Sequence, residues 1–151
     1  MLRQFLVGAG FSVCNIIIHG LVMAAVVWVT QMAEAKETSR PWLHLIWVMV
    51  ATVSVLMLAH VCEVIVWSLC YALVDAVPAS ADRVYFAFVN YTTLGYGDVI
   101  PAQRWQLLGP ITAMNGILMF GWSTAVIFAL MRRIMARHFA ADALASRISP
   151  G

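Results

Sequence analysis

The sequence predicts an all-α membrane protein, with three transmembrane helices and a short re-entrant helix between the last two. Three observations point there. Of 151 residues, 63% are hydrophobic and only 11% are charged, whereas soluble domains carry about a quarter charged residues. Three apolar runs exceed the roughly 20 residues a helix needs to cross a bilayer. Between the second and third lies an amphipathic run too short to cross, followed by a glycine-punctuated ribbon within "FVNYTTLGYGDVIP", Phe88 to Pro101. The length allows one small domain.

The first apolar run is Phe5 to Thr30. A cleaved signal peptide is the alternative, with Arg3 at its start and Ala33-Glu34-Ala35 resembling a cleavage site. The run is longer than the roughly 7–15 residues of a signal core, which favours a retained helix. The second, Trp42 to Val74, follows Pro41, a residue suited to a first helical turn, with Ser39 or Arg40 near the cap. The third is Trp105 to Met131, where Gly109-Pro110 is expected to kink the outer part by removing a backbone bond. Cys14, Cys62 and Cys70 all fall inside apolar runs and read as small buried hydrophobes without a disulfide framework.

Net charge is +2, which gives no reason to expect a nucleic-acid partner. Arg132, Arg133, Arg137 and Arg147 follow the third run, which places that end and the C-terminus in the cytoplasm by the positive-inside rule. The loop Gln31 to Arg40, with Lys36 and Arg40, then also lies inside, and Arg3, Arg83 and Arg104 lie outside. A multi-pass protein of the plasma (inner) membrane is expected.

The segment Asp75 to Arg104 joins the second and third runs. Asp82 is a favoured cap, so a helix should run from Arg83 to about Tyr91. Its roughly 14 Å cannot span the membrane. If it enters, it must stop partway and return, and non-helical backbone at membrane depth is tolerated only inside protein or along a wet cavity. In the ribbon, Gly95 and Gly97 alternate with Leu94 and Tyr96. Glycine reaches left-handed backbone freely, and alternating left- and right-handed residues turn successive carbonyls to one edge. Several such edges around an axis could replace the water shell of a cation, toward which the preceding helix would aim its negative end. A tight turn is the plainer alternative for "GYGD".

"TTLGYGD", Thr92 to Asp98, resembles the filter signature of potassium channels, with leucine at 94 where valine is commoner. The resemblance covers about Trp42 to Arg133 and implies a homotetramer around one pore, each chain giving one filter strand. It implies that Thr93, Leu94, Gly95, Tyr96 and Gly97 carry the ion-coordinating oxygens, with K+ held at Thr93 to Tyr96 and passing as permeant ion, without a cofactor. Thr92 would tie the filter base to the pore helix, and Asp98 would brace the outer mouth. Some relatives pair that aspartate with a pore-helix glutamate; the matching position is Val89, which leaves Asp98 without that partner. The implied organisation is a peripheral helix and loop at 1–41, packed against the second segment, and a pore domain at 42–137. Within the latter fall an outer helix 42–74, pore helix 82–91, filter 92–98 and inner helix 103–133; a short tail occupies 138–151. Gly116 falls where relatives often carry a hinge glycine, with Gly121 beyond it. Ile117, Phe120, Thr124 and Phe128 would face the cavity; their spacing equally fits a helix interface.

Asn15, His19, His60 and Glu63 are polar residues inside the first two runs, where such groups usually face protein. Asn15 and His60 lie at similar depth and could hydrogen-bond, with Glu63 nearer the short helix. A structural clamp, a proton-sensitive gate and a metal site are the readings; the spacing is diagnostic of no metal. An enzyme would need a nucleophile or a proper metal set, and neither is evident. No run carries arginine at every third position, so no voltage sensor is expected. The tail after Met131 should extend the inner helix or meet lipid headgroups. A non-conducting, channel-like subunit is the remaining alternative.

Overall fold

A computed structural model describes residues 1–34, 40–78 and 80–148. Ala35, Lys36 and Ser39, invoked above for cleavage, orientation and capping, lie outside the described residues. The elements are α1 (Leu2–Glu34), α2 (Pro41–Leu73), α3 (Arg83–Tyr91) and α4 (Leu108–Ile148), with a 3₁₀ turn at Gln103–Trp105. No strand occurs among the described residues. Three helices are long and apolar enough to cross a membrane, over Leu2–Met32, Trp42–Leu73 and Gln103–Ala136.

Local chemistry explains the boundaries. Pro41 opens α2, where its missing N–H costs no helical bond. Asp82 caps α3, its carboxylate accepting from Val84 N at 2.9 Å and Tyr85 N at 3.1 Å. The expected kink at Gly109-Pro110 does not arise, because Pro110 lies in the first turn of α4, where no intrahelical bond exists for it to remove. Gln4 of α1 instead serves that end, its Oε1 accepting from Leu107 N at 2.9 Å. Beyond Met131 the helix continues into the tail as far as Ile148.

α1 and α4 run parallel, as pairs rising together along both show. Gly8 meets Ile111, Asn15 meets Asn115 and His19 meets Ser123. The first helix therefore packs on α4 as well as on α2. α2 runs antiparallel to α4, through Tyr71 with Thr112, Trp67 with Asn115 and His60 with Ser123. α3 runs back alongside α2, from Phe86 on Tyr71 to Tyr91 at Glu63. The core gathers where α2, α3 and α4 meet, around Trp67, Tyr71, Phe86, Tyr91 and Leu108. At the opposite end α1 and α2 part around an apolar groove of about 540 Å³ flanked by Val26, Trp47 and Val55. Of the cysteines only Cys70 is buried; Cys14 and Cys62 lie exposed, contrary to expectation, and all three are free thiols.

Candidate functional site

Two arrangements meet at the end of α3: the ribbon that leaves it and a polar cluster behind it. The ribbon hangs from the last turn of the helix. Thr92 Oγ1 donates to Phe88 O at 2.7 Å, and Thr93 N donates to Asn90 O at 3.0 Å. The Val89 carbonyl accepts from both Leu94 N at 2.9 Å and Gly95 N at 3.2 Å. The helix thus spends its free C-terminal carbonyls on anchoring the chain that follows.

Backbone handedness alternates along the ribbon. φ is +62° at Thr93, +58° at Gly95 and +77° at Gly97. Glycine accounts for two of these; the left-handed threonine was not anticipated. A β-branched residue in this region is strained by about 1–2 kcal/mol, held here by the hydrogen bonds of the Thr93 and Leu94 amides. All residues from Thr92 to Asp98 are exposed on the single chain. Asp98 has a partner after all: Tyr85, one turn before Val89, donates its hydroxyl to Asp98 Oδ2 at 2.8 Å. That bond holds the exposed Tyr85 phenol above its usual value of 10.

On α4, Gly116 is buried, while Ile117, Phe120, Gly121, Thr124 and Phe128 are exposed. A Cβ on Gly116 would lie 2.0 Å from Tyr91 O, so close passage of α4 under α3 accounts for this glycine without a hinge. Nothing lies within 4 Å of the corresponding point on Gly121. Phe120 packs against His60 in a tilted contact with centroids 4.5 Å apart, and meets Tyr91 edge-on at 5.5 Å. Thr124 Oγ1 turns back to Phe120 O at 2.9 Å, and the Arg132 guanidinium covers the Phe128 ring at 5.8 Å.

The four polar residues singled out in α1 and α2 are all buried, but their partners differ from expectation. Asn15 does not bond His60. Its Nδ2 donates to Asn115 Oδ1 at 3.0 Å and Glu63 O at 3.3 Å, and Trp67 Nε1 donates to the same Asn115 oxygen at 3.0 Å. His19 Nδ1 lies 2.7 Å from Glu63 Oε1, and His60 Nδ1 lies 3.3 Å from Glu63 Oε2. Tyr91 donates its hydroxyl to Glu63 Oε2. His60 Nδ1 is 3.0 Å from that hydroxyl, and Ser123 Oγ lies 3.1 Å from His60 Nε2 and 3.3 Å from His19 Nε2. α1, α2 and α3 therefore converge on one carboxylate, and α4 joins them through Ser123, which bridges the two histidines. Tyr91, Ser123, Asn115 and Trp67 were missed in the sequence; Asn115, polar inside the third apolar run, carried the same signal as Asn15, whereas the other three look unremarkable until distant helices are brought together.

A family model described as "Ion channel" matches residues 55–133. Comparison with curated proteins and with solved structures found no match. The matched span exceeds half the chain and contains α3, the ribbon and most of the polar cluster. This membrane protein belongs to the ion channel family.

Proposed function

We propose that the protein is a potassium-selective channel, in which four copies of the chain place their Thr93–Gly97 ribbons around one axis. The observation that carries this reading is the alternation of left-handed backbone at Thr93, Gly95 and Gly97, which turns the intervening carbonyls to one edge. Oxygens so arranged can replace the hydration shell of K+ without rearrangement as the ion arrives. The exposure of the whole ribbon on one chain supports assembly, because irregular backbone at membrane depth needs protein or a wet cavity around it. α3 would then be the re-entrant pore helix, with its negative end facing the ion path.

In the same reading α4 is the inner helix. Ile117, Phe120, Gly121, Thr124 and Phe128, all exposed on the single chain, line the cavity or meet the neighbouring copy. Thr92 fastens the filter base through Phe88 O, and Asp98 is held at the outer mouth by Tyr85. The C-terminus faces the cytoplasm of a plasma (inner) membrane, following the arginines beyond α4.

Purified protein in liposomes tests the proposal. Flux of K+ with exclusion of Na+ is expected. Tetramers that carry no flux would identify a non-conducting subunit, and equal passage of both ions would reject selectivity.

A further inference from the structure

The cluster around Glu63 is a closed ring. Going round it, the contacts are Glu63 to His19, His19 to Ser123, Ser123 to His60, His60 to Tyr91, and Tyr91 back to Glu63. The His60–Glu63 approach is a chord that shares the His60 Nδ1 hydrogen with Tyr91. Five residues thus make five contacts, and each contact needs one hydrogen between its two heavy atoms.

The hydrogens can be counted. A neutral imidazole brings one, a tyrosine one, a serine one, and an ionised glutamate none. With Glu63 ionised and both histidines neutral there are four hydrogens for five contacts. Two lone pairs must then face each other somewhere, and the ring carries a net negative charge. One added hydrogen satisfies every contact and makes the ring neutral. Both changes favour it in an apolar interior, where an unpaired charge or polar atom is costly.

We propose that this ring is a binding site for one proton, held as an imidazolium shared between His19 and His60 opposite the Glu63 carboxylate. Ser123 makes the sharing possible. When its hydroxyl donates to His60, the proton resides on His19, whose Nε2–H donates to the serine oxygen. When the hydroxyl turns to His19, the proton resides on His60. The titratable groups facing the carboxylate are His19 from α1, His60 from its own helix α2, and Tyr91 from α3, while α4 supplies Ser123.

Release of the proton leaves one contact repulsive. Tyr91 is the last residue of α3 and leads directly into the ribbon, so proton occupancy is linked to the seating of that helix end against α1, α2 and α4. The site is a proton latch under the ribbon.

Nitrogen NMR of the full chain in lipid nanodiscs tests this, with His44→Gln and His138→Gln so that only the two ring histidines report. One imidazolium for each pair of rings is expected near neutral pH. Glu63→Gln should abolish that signal, because the amide brings its own N–H and removes the charge to be balanced. Ser123→Thr should keep it, whereas Ser123→Ala should shift its loss to lower pH, since the imidazolium Nε2–H then has no acceptor. Should Glu63→Gln fail to assemble, the serine pair alone decides. Two neutral imidazoles throughout about pH 5–8, where free imidazole titrates, would overturn the proposal. So would two imidazoliums, identical behaviour of the two serine variants, or stoichiometric zinc retained on purification. The readout is protonation, so it is independent of whether the protein carries potassium.

Discussion

Gly116 passes beneath Tyr91 so closely that a methyl group on its Cα would lie 2.0 Å from the Tyr91 carbonyl oxygen. The obstructing atom is backbone, at the helix end from which the ribbon hangs. Gly116→Ala must therefore push α3 from α4, and overpacking of this kind costs about 1–3 kcal/mol. Gly121→Ala meets open space and should cost below about 0.5 kcal/mol. Denaturant unfolding in detergent compares them. Equal losses would show that a partner copy covers Gly121.

Asn115 serves two donors with one oxygen, from Asn15 and from Trp67. Asn115→Ala strands the Trp67 N–H in a buried setting and leaves Asn15 Nδ2 only its bond to Glu63 O, for an expected loss of about 1–3 kcal/mol. Asn15→Ala removes one side of the same junction and should cost nearer the average of about 0.6 kcal/mol for hydrogen bonds between membrane helices. A double-mutant cycle of the two substitutions is expected to be non-additive, because they share an atom. Strict additivity would show that the Asn15–Asn115 bond contributes nothing.

How far these features could be read in advance depended on the range of the chemistry behind them. The bounds of α3 were legible because Asp82 and the run after it act within a few residues. The ribbon was legible because Gly95 and Gly97 advertise left-handed backbone. Thr93 was not, since its conformation is imposed by hydrogen bonds from its own amide to Asn90 O and from the Leu94 amide to Val89 O. Pro110 was misjudged because its effect depends on where α4 begins, and the turn at Gln103–Trp105 sets that. The polar cluster was half visible: four groups stood out in apolar helices, and Asn115 offered the same signal in the third run, but their partners Tyr91 and Ser123 carry none. Sequence periodicity finds a face; it does not say which face opposes it.

Tyr85 takes the place that a pore-helix glutamate would fill beside Asp98. A phenol can only donate to a carboxylate while it keeps its proton, and Asp98 itself holds that proton above the ordinary value of 10. The sign follows: the neutral hydroxyl is favoured in the folded state, so its contribution is complete below about pH 10 and disappears as pH rises through the raised value. If the protein conducts K+ as proposed, Tyr85→Phe should therefore lower that flux or its discrimination against Na+ by the same factor at pH 6 as at pH 8, roughly within twofold. A Tyr85→Phe effect that grows between those values would show that another titrating group controls Asp98.

Gly97 has a φ of +77° and open space where a Cβ would stand. Gly97→Ala consequently meets no clash, and its cost is conformational, about 1–2 kcal/mol for an L-residue held left-handed. If the ribbon binds K+ in the assembled channel, that cost appears as weakened ion affinity, because a relaxed backbone turns a carbonyl away from the axis. An ion that binds only the folded assembly stabilises it by about 2.7 kcal/mol at a hundredfold excess over its dissociation constant. Thermal denaturation of the native protein should thus rise with K+ and not with equimolar Na+. Gly97→Ala, present in all four ribbons, should need at least about 5- to 30-fold more K+ for the same protection, the ratio equivalent to the 1–2 kcal/mol of a single ribbon. Equal protection by the two ions would remove the basis for assigning these oxygens to potassium, and an unchanged K+ requirement in Gly97→Ala would show that residue 97 does not shape the site.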